Sequence, residues 1–98
     1  MVSKVLSLDD YCVLTFNTTS NALKAERVLK DANAEFIIMP TLREISSSCG
    51  LSVKTPPENL QFVLDILARQ GVPVEGMYHV LRRKRHNEVS KLEQVNKA

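Results

Sequence analysis

Tyr11-Cys12-Val13-Leu14-Thr15-Phe16 is the first dense apolar stretch of the chain, and its β-branched and aromatic content predicts a strand. Asn17-Thr18-Thr19-Ser20-Asn21 follows, a cluster of residues whose side-chain oxygens accept the orphan amide hydrogens at a helix start. Ala22, Ala25, Val28, Leu29 and Ala32 then recur at helical spacing, with Lys24, Glu26, Arg27, Lys30 and Asp31 between them. The alanines suit a helix that approaches a sheet closely. Asn33 is a natural stop, because asparagine tolerates the left-handed conformation. Glu35-Phe36-Ile37-Ile38-Met39 predicts a second strand, stopped by Pro40. Leu51-Ser52-Val53-Lys54 alternates apolar and polar and predicts a short third. Thr55-Pro56-Pro57-Glu58 has the spacing of a capping box, with proline at the first helical position. Leu60, Val63, Leu64 and Leu67 form the stripe of the helix that follows, widened by Phe62 and Ile66. Gly71 ends it and Pro73 blocks its continuation. Gly76-Met77-Tyr78-His79-Val80-Leu81 predicts the fourth strand, with His79 expected on the open face of the sheet.

The order β-α-β-β-α-β predicts an α+β domain of the ferredoxin-like kind, a four-stranded antiparallel sheet with two helices on one face. The expected layout sets the first and third strands side by side and parallel at the centre. Cys12 and Cys49 would then lie toward the same end of the sheet, and Cys12 becomes a candidate resolving thiol. A small buried hydrophobe is its other reading. The expected organisation is an N-terminal extension (1–10), a domain (11–81) and a basic C-terminal tail (82–98). Val89, Leu92 and Val95 give that tail the spacing of a short helix, if it has fixed structure at all. Both sides of the first strand are partly apolar, which points to a homodimer through the open sheet face.

At 98 residues and 44% apolar composition the chain is one domain with a real core. No run reaches the length of a membrane span, and the first ten residues do not resemble a signal peptide, so a cytoplasmic protein is expected. Two cysteines are too few for a secreted disulfide framework. With His79 and His86 as the only histidines, no metal site is expected, and no cofactor either. The net charge of +2 is nearly balanced, with its excess in Arg82-Arg83-Lys84-Arg85-His86. No aromatic residue interleaves with that run, so a solvated tail is favoured over nucleic-acid binding. There is no Cys-x-x-Cys, no glycine-rich phosphate loop and no Ser/His/Asp set placed by spacing, which disfavours an independent enzyme.

The remaining chemistry is concentrated in Thr41-Leu42-Arg43-Glu44-Ile45-Ser46-Ser47-Ser48-Cys49-Gly50. This connection is polar throughout except for Leu42 and Ile45. Cys49 has a cation six residues upstream, three hydroxyls just before it and a glycine just after. Positive or hydrogen-bond-donating surroundings favour the thiolate, which is the nucleophilic form. Arg43 is a candidate to stabilise that thiolate, or a surface charge paired with Glu44. Ser48 and its neighbours are candidate donors to the sulfur, or turn formers. Gly50 would allow close approach of a partner, or supply a positive φ. Glycine and a strand follow Cys49, so no helix N-terminus is available to lower its pKa.

Thr15-Phe16-Asn17-Thr18-Thr19, Ala22-Leu23-Lys24-Ala25-Glu26, the stretch Arg43 to Leu51 and Pro57-Glu58 together resemble the selenium/sulfur carrier protein-like family of small bacterial domains. The resemblance covers residues 11–81 and implies that Cys49 is the carrier cysteine. A donor such as a cysteine desulfurase would load it with sulfane sulfur or selenium as a persulfide or selenosulfide, and an acceptor protein would take the atom away. The alternative is a small binding or regulatory module in which Cys49 is chemically idle, since fold does not dictate function.

Overall fold

The computed structural model describes residues 9–43, 45, 50–82 and 87–92. The elements in order are β1 (Asp10–Thr15), α1 (Thr19–Asp31), β2 (Ile37–Pro40), β3 (Leu51–Thr55), a 3-10 turn (Pro57–Asn59), α2 (Leu60–Arg69), β4 (Gly76–Arg82) and β5 (Asn87–Leu92). The fold is α+β: two helices and one five-stranded sheet of order β2-β3-β1-β4-β5, antiparallel at every pairing.

Both helices begin and end largely as their sequences dictate. The Thr18 side chain accepts the Asn21 backbone N–H at 3.1 Å and caps α1. At its other end Asn33 takes φ 61°, with Ala34 N–H bonded to Leu29 O and Asn33 N–H to Lys30 O. Helix α2 repeats the device with Gly71 at φ 72°: Val72 N–H bonds Leu67 O and Gly71 N–H bonds Ala68 O. Both are Schellman motifs, which satisfy the last free carbonyls of a helix. The expected capping box at Thr55 does not form. Thr55 is the last residue of β3, and its hydroxyl donates instead to Glu35 O at 2.7 Å. The chain after it passes through the 3-10 turn, whose entry has no side-chain cap.

Three expectations about the sheet are corrected. It has five strands, not four, because residues 87–92 of the expected tail pair with β4 in the register Val80↔Val89 and Arg82↔Asn87. The valine and leucine taken for a helical stripe are two strand positions on opposite faces. Val89 joins the cluster around Val80, and Leu92 the core beneath the helices. Strands β1 and β3 are antiparallel, not parallel, with Cys12↔Thr55 and Thr15↔Ser52 in register. A β2–β3 hairpin necessarily reverses β3 relative to β2, which runs with β1 after a helical crossover. Finally, His79 is opposite Cys12 and alternates with Val80, so it lies on the face that carries the helices. Its Nε2 is 2.6 Å from Asp10 Oδ1.

The alternation of side chains divides the buried residues into two clusters. Leu14, Phe16, Val53 and Met77 face α1 and α2, meeting Ala22, Ala25 and Leu29 from the first and Val63, Ile66 and Leu67 from the second. Tyr11, Val13 and Val80 point the other way, and Ile45 joins them from the β2–β3 connection. No helix of the described residues is long and apolar enough to cross a membrane.

Candidate functional site: the connection between β2 and β3

β2 and β3 pair from Ile37↔Lys54 to Pro40↔Leu51, so residues 41–50 are the loop of a hairpin at one end of the sheet. Its two ends are tied together. Thr41 N–H donates to Gly50 O at 2.9 Å, and the Thr41 and Ser52 hydroxyl oxygens are 2.7 Å apart. From this base the chain turns over the face without helices. Ile45 N–H donates to Leu42 O at 2.9 Å, closing a tight turn with Arg43 exposed in its middle. Ile45 is only 5% exposed and packs with Tyr11, Val13 and Val80, while Leu42 and Met39 border the same cluster. Among the described residues the loop is thus joined at its base and seated by Leu42 and Ile45.

Cys49, Ser48, Ser46, Ser47 and Glu44 lie outside the described residues. Of the predicted site, Arg43 and Gly50 are therefore the described members of the loop. Gly50 is exposed, and apart from its two chain neighbours no described atom lies within 4 Å of where a Cβ would stand. Its φ is not positive, so the left-handed reading of this glycine is corrected and open space beside the chain remains.

Cys12 is placed elsewhere. The Cys12↔Thr55 register sets Gly50 five residues away along the neighbouring strand, about 16 Å at the usual strand rise. Cys12 and Gly50 therefore lie toward opposite ends of the β1–β3 pair, and the expected nearness of Cys12 to Cys49 falls outside the described residues. Cys12 also shares the helix-bearing face with Leu14, whereas Leu42 and Ile45 pack on the other face. It is 3% exposed, and burial, with the Asp10 carboxylate adding to it, pushes its thiol up to about 11. At neutral pH it is a protonated, covered thiol.

Lys54 was legible only as a polar position of a short strand. Here it is 6% exposed, with Nζ 4.2 Å from the centre of the Tyr11 ring. Burial lowers its pKa, the nearby Arg82 charge lowers it further, and Asp9 opposes both. Ser52 is buried on the same face. The polar half of β3 is thus covered, in a way that alternation alone does not announce. The one signal in the sequence was the pair Leu42 and Ile45, three residues apart in an otherwise polar loop.

Among the described residues no group of three His, Cys, Asp or Glu side chains could hold a metal ion. A shallow cleft of about 300 Å³ between the ends of α1 and α2 is lined by Val28, Asp31, Ala32, Ile66, Arg69 and Gln70, with no thiol or hydroxyl side chain among them.

The family model described as "Putative Se/S carrier protein-like" matches residues 11–79, from the second residue of β1 into β4. The chain belongs to this Se/S carrier protein-like family. The match includes the whole β2–β3 loop of this family member and stops before β5. No curated protein and no solved structure matches the chain.

Proposed function

We propose that this protein carries sulfane sulfur or selenium on Cys49. The observation that carries the reading is the family match across the tied loop in which Cys49 is the only cysteine. The burial of Cys12 supports a single-thiol carrier, because its covered, protonated sulfur is a poor nucleophile. We also read strands β1 to β4, in their order 2-3-1-4, as a ferredoxin-like unit with β5 added at its edge.

In the proposed reaction the Cys49 thiolate attacks the terminal sulfur of a donor persulfide. A new S–S bond forms as the donor S–S bond breaks, and the donor cysteine leaves as its thiolate. An acceptor nucleophile then attacks the same terminal sulfur, and Cys49 leaves as thiolate. The sulfane atom is passed on without an external oxidant or reductant, and selenium takes the same path as the terminal atom. Arg43 would favour the thiolate, Ser48 would donate to it, and the open space at Gly50 would admit the partner. The donor proposed is a cysteine desulfurase, and the setting the cytoplasm.

Incubation with an active desulfurase and cysteine, followed by intact-protein mass spectrometry, tests this. One added sulfur should appear on the wild type and on Cys12→Ser, and be absent from Cys49→Ser. No adduct on Cys49, with the same desulfurase loading a known acceptor, would sink the carrier reading with this donor.

A further inference from the structure

The two edges of the sheet differ. At the β5 edge Glu88, Ser90 and Lys91 are exposed, and polar or charged residues of this kind discourage the pairing of another strand. At the β2 edge Phe36, Ile37, Ile38 and Met39 are all half-buried and apolar, and no charge occurs between Glu35 and Arg43. The direction of the β2 backbone groups follows from the ladder. Thr41 N–H donates to Gly50 O, which makes these two residues a bonded pair. Bonded and non-bonded pairs alternate in an antiparallel ladder. Pro40↔Leu51 and Ile38↔Val53 are therefore non-bonded pairs, and on β2 their backbone groups point away from β3. Pro40 thus lacks its N–H at a position where the ladder requires none. By the same alternation Phe36, just before the strand, also turns its N–H and C=O outward. Among the described residues nothing bonds to the outward N–H of Phe36 or Ile38.

We propose that two copies of this protein associate through their β2 edges, antiparallel about Ile38, so that one sheet runs through the dimer. In that register the Ile38 residues of the two copies exchange N–H to C=O bonds. Each Phe36 N–H meets the C=O of the second copy's Pro40, a residue that can accept but not donate. The side chains match as well: Ile38 stands beside Ile38, Phe36 beside Pro40 and Ile37 beside Met39, apolar against apolar throughout. A register shifted by one pair would set Glu35 beside Met39 and bring Pro40 to Ala34, whose N–H is already bonded to Leu29 O. The strand is its own complement, as a two-fold interface requires. This association does not depend on the chemistry of Cys49.

Sedimentation velocity of the full chain from about 10 to about 200 µM tests it, because a strand pair this short is a small interface and its dimer belongs in the micromolar range. The wild type should shift from one chain mass to two across that range. Ile37→Lys puts a charge on the edge at a half-buried position outside both apolar clusters, and should raise the dissociation constant at least about tenfold. Ile38→Pro removes the outward N–H and should do the same. Ser90→Lys, on the β5 edge, should leave the constant unchanged. Circular dichroism checks that each variant is folded, and Ile37→Lys carries the comparison if Ile38→Pro is not. A wild type that stays monomeric at the highest concentration overturns the proposal. So does a dimer that folded Ile37→Lys leaves intact, or one that Ser90→Lys weakens equally.

Discussion

At the scale of single residues, two side chains of similar sequence context are decided by what covers them. Cys12 was readable as a resolving thiol, but a small buried hydrophobe on a strand was the favoured reading, because its sequence neighbours are apolar. The antiparallel register sends it to the Thr55 end of β3 and under the helix-bearing face. Its raised pKa makes a measurable prediction. The folded state holds the thiol proton more tightly than the unfolded state, where the value is near 9.0. Its contribution to stability is therefore complete below about 9 and is lost as the pH rises through about 11. Denaturant unfolding at pH 8 and pH 11 should show the advantage of wild type over Cys12→Ala narrowing by on the order of 2 kcal/mol. A constant difference would mean that the thiol is not desolvated in the fold. Lys54 was legible as a strand position, but its burial was not, since the loop that covers its face is polar in sequence and its two anchors, Leu42 and Ile45, are distant from it.

At the scale of elements, the helix ends were legible and one helix start was not. Asn33 and Gly71 stop their helices for a local reason: each supplies a left-handed backbone that frees the last carbonyls to pair. Gly71→Ala should cost about 1 kcal/mol through strain at its positive φ, whereas Asn33→Gly should be near neutral. Thr18→Ala should cost about 1 kcal/mol by removing the α1 cap. Shifts in urea midpoint at constant slope would check all three. The capping box at Thr55 misled because its pattern is local, while the hydroxyl was claimed by a carbonyl twenty residues away, that of Glu35. Strand β5 escaped a reading by periodicity for a related reason. Polar residues, Glu88, Ser90 and Lys91, fill its exposed positions, and only pairing with β4 distinguishes Val89 and Leu92 as inward on opposite faces.

At the scale of the molecule, β5 completes both apolar clusters and covers the edge of β4. A chain ending at residue 82 would expose that edge together with apolar surface around Val80 and Met77. Such edges recruit other strands. The shortened chain should unfold at lower denaturant and elute as larger species in size-exclusion chromatography. An unchanged midpoint and the same association state as the full chain would show that β5 is dispensable. The face without helices, expected to be open for a homodimer, is occupied in part by Ile45 and bordered by Leu42. Dimerisation through that face would have to accommodate the loop that carries the proposed thiol.

The sequence by itself determined the two helices with their stops, four of the strands, the α+β class and the loop holding Cys49, because these depend on periodicity and on residues acting over a few positions. The tertiary structure alone decided the direction of β3 against β1, the fifth strand, the burial of Cys12 and Lys54, and the seating of Ile45 against Tyr11, Val13 and Val80. Each of these depends on which surfaces meet across tens of residues. Such a meeting is set by pairing register and by the area buried between faces, and local pattern carries neither.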